Sequence, residues 1–363
     1  MKKICFIAQF PPPIHGLSKA VDTLYNSELS KEFEFEKVDI KNNKKILKSL
    51  WLIFKSKADL FYFTISQSRG GNLRDLAILK LLELQQKKCL IHLHGGYYRT
   101  LVDNDLPQWQ KKANYNAVSK LSGAIVLSES LKANFTGMLP DEKIFVVPNC
   151  VDDEYLMSDA DFEEKLRTLP ERNIKHILYL SNFIRSKGYP EVLELARLEK
   201  ERCECGGDKK FHFDFAGKFF ENTEEEYFFN YIKEHSLQDY VTYHGIVGGD
   251  KKRELLKLCD VFILLTRYPN EGQPISILEA MGNGMVIVTT DHAGIPDIVK
   301  ENENSLFYKE NMDIGDLYAD LLSFDSYLRF SENNYQMIIQ CYKQQKYIFG
   351  IKEKFGLLTT FLY

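Results

Sequence analysis

Short apolar runs alternate with longer amphipathic stretches along this chain, and the alternation repeats through both halves. In the first half, Ile4–Phe10, Phe35–Asp39, Asp59–Thr64, Cys89–His94, Ala124–Ser128 and Ile144–Val147 read as strands. In the second half the same reading applies to Ile177–Ser181, Phe211–Ala216, Val241–His244, Asp260–Leu265, Met285–Thr289 and Ser305–Phe307. Helix-length segments such as Leu17–Leu29, Leu73–Gln86 and Pro190–Lys200 lie between them. Strands that alternate with helices build parallel sheets with helices on both faces. Six strands twice over predict an α/β chain of two Rossmann-like domains, residues 1–155 and 165–342. The acidic, polar stretch 152–164 reads as the linker. The aromatic-rich end, residues 343–363, is expected to form a helix that packs back on the first domain.

The bulk numbers narrow the picture. A length of 363 residues exceeds what one core usually spans, and 44% apolar with 27% charged residues is the balance of a globular protein. A net charge of −4 argues against a nucleic-acid partner. The amino-terminal apolar run ends at three prolines, too short for a signal peptide, and nowhere do ~18 apolar residues run together. The seven cysteines are scattered, several within apolar runs, and read as reduced residues of a cytoplasmic protein. No GxGxxG follows a predicted strand, which weighs against a dinucleotide-dependent dehydrogenase.

In an open parallel sheet, ligands bind beyond the carboxyl ends of the strands. Four segments with unusual chemistry fall there. The first runs from Ile7 to Ser18, where three prolines stiffen a loop and Gly16 opens a helix whose free N–H groups suit an anion. The second, Ile91-His92-Leu93-His94-Gly95-Gly96, puts two histidines on one face. His94 stands at the strand end beside two glycines and is the site candidate, whereas His92 reads as structural. A metal pair would need a third ligand at a set spacing, and none is evident.

The third segment, Leu180 to Pro190, carries Asn182, Arg185 and Lys187 just before a helix that Pro190 opens. A guanidinium fork and an ammonium beside free N–H groups suit a diphosphate, although a solvated loop would look the same. The fourth, Pro269 to Met281, is the most informative. Pro274 fits a first helical position, with Gln273 near the cap and Glu279 in the second turn, under Ile275. The neighbours of Glu279 are apolar, so its carboxylate is expected to be buried and to point back at the helix mouth. Such a carboxylate needs hydrogen-bond donors, and two adjacent hydroxyls of a ribose would supply them. Glu271, just outside the helix, also suits the helix dipole as a plain anion.

These residues resemble the signature of glycosyltransferase family 4, retaining enzymes with the GT-B fold. Glu271 and Glu279, eight apart in NEGQPISILEA and followed by MGNGMVIVTTDHAGIPDIV, look like that family's two glutamates. HLHG at 92–95, VPNCVD at 147–152 and SKG at 186–188 fall in the family's order, so the resemblance runs from Ile4 to about Val299. It implies two Rossmann-like domains whose parallel sheets face each other across a cleft. It further implies that Glu279 holds the ribose of a nucleotide-sugar donor and that Glu271 contacts the transferred sugar. Gly272, Gln273, Pro274 and Ile275 would line the sugar and phosphates. Lys187 would neutralise the diphosphate and His94 would sit near the reacting carbon. Gly16 would close over the phosphates, and the base is expected near Gly245 and Val247. The sequence departs from the family at Asn182, where an arginine is usual, and Arg185 is expected to replace it. It departs again at Gly16, which stands beside Leu17 instead of a second glycine.

For such an enzyme neither a metal nor a bound cofactor is expected. The DxD at Asp159–Asp161 lies in the polar linker and not after an apolar strand. By the same resemblance the donor is expected to be a UDP-sugar and the acceptor a saccharide or a lipid-linked one in surface-polysaccharide synthesis. The competing readings are a non-catalytic partner of another transferase and a nucleotide-sugar epimerase of the same fold. A glycoside hydrolase is disfavoured, because Glu279 is committed to a helix beneath a phosphate-type loop. Residues 41–57 hold six lysines around Leu50–Phe54, a pattern that suits docking on an anionic membrane and equally a helix buried on one side. The Cys203-x-Cys205 pair lacks a second pair and reads as a loop.

Overall fold

The computed structural model describes residues 1–12 and 16–360; Pro13, Ile14 and His15 of the first loop and the last three residues lie outside the described ones. The chain divides into two compact units. Unit 1 comprises Met1–Asn149, Pro269–Gln273 and the carboxy-terminal segment from Gln345; unit 2 comprises Cys150–Tyr268 and Pro274–Gln344.

Unit 1 is built on strands β1 (Lys2–Ala8), β2 (Phe33–Asp39), β3 (Leu60–Thr64), β4 (Cys89–His92), β5 (Gly123–Val126) and β6 (Ile144–Val146). They form one sheet of order β2-β1-β3-β4-β5-β6, and every pairing is parallel. Its helices are α1 (Gly16–Tyr25), α2 (Ile46–Lys55), α3 (Arg69–Leu84), the single turn α4 (Tyr98–Thr100) and α5 (Gln108–Val118). Parallel strands buried on both faces must be apolar throughout, which is why β3, LFYFT, is buried at every position.

Unit 2 repeats the plan. Its strands are β7 (Lys175–Leu180), β8 (Phe211–Ala216), β9 (Val241–Tyr243), β10 (Val261–Leu264), β11 (Val286–Thr289) and β12 (Ser305–Phe307). The sheet order is β12-β11-β10-β7-β8-β9, again entirely parallel. Helices α6 (Asp159–Thr168), α7 (Tyr189–Glu204), α8 (Asn222–Glu234), α9 (Gly249–Leu258), α10 (Ile275–Met281), α11 (Ile314–Ser323) and α12 (Tyr327–Cys341) belong to it. The last helix, α13 (Gln344–Thr359), falls in unit 1 apart from its first residue. There Phe355 meets the rings of Phe6 and Tyr62 at 6.0 and 5.7 Å.

All twelve predicted runs are strands, but several end early. The run Ile4–Phe10 leaves the sheet after Ala8, and Cys89–His94 leaves it after His92. Apolar residues continue past the last ladder hydrogen bond because the first loop residues still cover the core. The stretch 152–164 is more than a linker. It belongs to unit 2 and contributes most of α6, which Ser158 caps by accepting from Asp161 N. The chain passes from one unit to the other earlier, between Asn149 and Cys150. Asp159 and Asp161 are engaged structurally, with the Tyr335 hydroxyl and with Lys257 respectively.

Lys165 explains how α6 is held. It is 3% exposed, and its Nζ donates to the carbonyls of Cys259 at 2.6 Å and Asn283 at 2.8 Å. Burial pulls its ammonium down to about 8, with Asp260 opposing the shift. Lys165→Ala removes the donor from two buried carbonyls, and we expect a loss of about 2–4 kcal/mol, measured by thermal and denaturant unfolding.

Candidate functional site

In unit 1 the site residues gather at the carboxyl end of β4. His92 closes the strand, fully buried, with its Nδ1 2.6 Å from the Tyr62 hydroxyl. Burial, aided by the charge of His94, drives its pKa well below the usual imidazole value, so the ring is neutral. His94, half-buried two residues on, stacks on it with centroids 3.9 Å apart. The following backbone lies against the segment Pro269–Gln273. A Cβ added at Gly272 would stand 2.6 Å from the His94 carbonyl and 2.9 Å from Gly95 Cα. One added at Gly95 would meet the Asn270 carbonyl at 2.6 Å. Only glycine at both positions permits this approach. It brings Glu271, itself 8% exposed, into the same unit as His94.

Gln273 completes that docking. Its side chain accepts from Asn149 N at 2.7 Å and donates to the Leu127 carbonyl at 3.3 Å, while Asn149 Nδ2 donates to the Gln273 carbonyl. Sequence reasoning placed Gln273 as a lining residue and missed its anchoring of VPNCVD. It also missed Gln67, in the loop after β3, whose Oε1 accepts from Tyr97 N at 2.6 Å and so shapes the glycine turn. The signal was its place in the loop that follows the predicted strand Asp59–Thr64. Gly16 opens α1 and is exposed, with no atom within 4 Å of where a Cβ would stand.

In unit 2 the motif continues. Pro274 occupies the cap position and α10 starts one residue later than its sequence suggests, at Ile275. Glu279 is 4% exposed among Ile277, Leu278, Ala280 and Met281. Its Oε1 accepts from Lys252 Nζ at 2.6 Å, and that ammonium also lies 4.2 Å over the Tyr155 ring. Lys252, on α9, was not a sequence candidate, because 27 residues separate it from Glu279.

The loop after β7 places its cations differently. Arg185 Nε lies 3.2 Å from Glu224 and its guanidinium covers the Tyr227 ring at 4.3 Å, so it is turned towards α8. Lys187 lies over the Tyr268 ring at 5.2 Å, in the half-buried part of the loop. Asn182 is exposed, and its carbonyl accepts from the Tyr179 hydroxyl. Gly245 and Val247 follow β9; Gly245 has φ +73 and its carbonyl accepts from Gly217 N. Among the described residues, no three or more His, Cys, Asp or Glu side chains stand together as metal ligands would. Gly272→Ala must push two backbones apart, and we expect it to destabilise unit 1 by about 1–3 kcal/mol, read as a lowered melting temperature.

Residues 161–337 match the family model described as Glycosyl transferases group 1. The amylovoran biosynthesis glycosyltransferase AmsK of Erwinia amylovora is 27% identical over 167 residues, 45% of this chain and 37% of that protein. Mannosylfructose-phosphate synthase of Agrobacterium fabrum is 25% identical over 175 residues, 47% of this chain and 37% of that protein. The chain thus spans under two fifths of the length of these relatives. Among solved structures, Anabaena Alr3699/HepE in complex with UDP superposes with a TM-score of 0.72 at 14% identity, covering 98% of this chain and 100% of that one. Two six-stranded parallel sheets and the superposition agree that the chain has the GT-B fold, and its residues 161–337 match the model of glycosyl transferases group 1.

Proposed function

We propose that this protein is a retaining, metal-independent glycosyltransferase that moves a sugar from a UDP-sugar to a saccharide or lipid-linked acceptor in surface-polysaccharide synthesis. The observation that carries the reading is the buried carboxylate of Glu279 on a helix at the carboxyl edge of unit 2's sheet. A ribose presents two adjacent hydroxyls that such a carboxylate accepts from, and Lys252 balances its charge until they arrive. The complexes of HepE with UDP and with UDP-glucose support the choice of donor, and the role of AmsK in amylovoran biosynthesis supports the pathway class.

In this reading the bond from the anomeric carbon to the diphosphate breaks while the acceptor oxygen bonds to that carbon from the same face. The acceptor's proton passes to the departing diphosphate oxygen, so no enzymic nucleophile is needed. The protein's part is electrostatic: Lys187 meets the charge that develops on the diphosphate. Glu271 and His94 orient the transferred sugar, and the Gly272–Ile275 backbone lines it. Arg185, turned towards Glu224, is the lesser contributor.

The same reading puts the protein in the cytoplasm, resting on the inner face of the membrane through residues 41–57. Along α2, Ser49 and Ile53 face inward, whereas Leu47, Trp51 and Phe54 are 79%, 58% and 55% exposed. All six lysines of the stretch are exposed as well. An exposed apolar stripe flanked by lysines matches the interface of an anionic bilayer. Among the described residues no helix is long and apolar enough to cross a membrane.

Three outcomes test these statements. Lys187→Ala should lower kcat by about a hundredfold and Arg185→Ala by less than tenfold in a radiolabelled-transfer assay; equal losses would refute the division of labour. Turnover should be unchanged in a chelator, and a fall to a tenth would overturn metal independence. Trp51→Ala with Phe54→Ala should abolish sedimentation with phosphatidylglycerol vesicles while leaving the melting temperature unchanged. Persistence of that binding would remove α2 from the membrane contact.

A further inference from the structure

A buried polar cluster lies under the turn after β9 and plays no part in the chemistry above. Asp214, in the middle of β8 and 2% exposed, receives two imidazoles. His176 Nδ1 of β7 lies 2.7 Å from its Oδ2, and His244 Nε2, directly after β9, lies 2.7 Å from its Oδ1. Burial alone would raise this carboxyl, but the hydrogen bonds from His176 and His244 outweigh it and hold the group at about 2. An ionised carboxylate only accepts, so each facing ring nitrogen carries its proton.

The two histidines differ in what they lead to. His176 stands near the start of its strand, with its ring 5.2 Å from His212. His244 is held by its backbone as well: its N–H donates to the Phe215 carbonyl at 2.8 Å, and its own carbonyl accepts from Lys251 Nζ at 2.7 Å. The next residue is Gly245, where φ turns positive and the chain leaves the sheet. With backbone and side chain both fixed, His244 sets the direction in which Gly245, Ile246 and Val247 depart.

We infer that Asp214 and His244 are positioning residues for the nucleotide end of the donor: the carboxylate locks the imidazole, and the imidazole locks the Gly245–Val247 turn. The inference rests on the reading of that turn as the place of the base. An aspartate inside FHFDFA, on a strand otherwise apolar at its buried positions, places a charge where packing alone favours an apolar side chain.

The test compares variants on either side of one carboxylate, using UDP as the probe in calorimetry and initial rates against donor and acceptor. His244→Phe should raise the dissociation constant of UDP and the donor KM about tenfold, with kcat and acceptor KM within twofold. Asp214→Asn should follow it. His176→Phe takes the same kind of hydrogen bond from the same carboxylate, yet should leave donor KM within twofold. A merely structural cluster would treat the two histidines alike, so equal shifts, or no shift in either, would overturn the inference even if Asp214→Asn fails to fold. Glu279→Ala separates the two levels. If it abolishes UDP binding while His244→Phe does not weaken it, only the positioning role fails. If it binds UDP as the unaltered protein does, the donor-site reading fails and takes this inference with it.

Discussion

Two stretches of backbone meet in unit 1 at a distance that no side chain would allow. Gly95 and Gly272 face each other's chain so closely that a single methyl on either would stand nearer a carbonyl oxygen than van der Waals contact allows. Much of the site follows from that contact. It draws Pro269–Gln273 into unit 1, sets Glu271 in the unit that holds His94, and leaves the chain to enter α10 one residue after Pro274. Glu279 then takes its depth from α10, a short helix buried along most of its length. The signature is therefore two half-motifs with different tasks, and the unit boundary runs between Gln273 and Pro274.

The second organising constraint is that buried charges must find hydrogen-bond partners. Glu279 has Lys252, Asp214 has two imidazoles, and Lys165 has two carbonyls. Each partner arrives from a different element, as it must when a charge lies where water cannot reach it. Arg185 is exposed, yet it too is paired: Glu224 and Tyr227 engage its guanidinium.

This explains what the sequence made legible. The strands stood out because parallel strands covered on both faces are continuous apolar runs, and the loops that follow them carry the odd chemistry. Glu279 could be placed in a buried helix because its neighbours are all apolar. Pairings across the fold could not be read. Arg185 and Glu224 are 39 residues apart, Lys252 and Glu279 are 27, and no local period joins them. The polar stretch 152–164 misled for a related reason: its composition is that of a linker, and the burial of Phe162 and of Lys165, just beyond it, shows that α6 is packed. Gln67 was passed over because a lone amide in a serine-rich loop looks like solvent-facing chain until its partner, Tyr97 N, is known.

The threading of the chain has a consequence for synthesis. Unit 1 is begun first and finished last: its sheet is complete by Val146, yet Pro269–Gln273 and α13 leave the ribosome only after unit 2's sheet has been made. Until then the rings of Phe6 and Tyr62 lack Phe355. A nascent chain therefore carries an open aromatic face through most of translation, which is when exposed apolar surface invites chaperones or aggregation. Truncation just after Gln344 would leave unit 1, and not the unit nearest the cut, as the incompletely folded part.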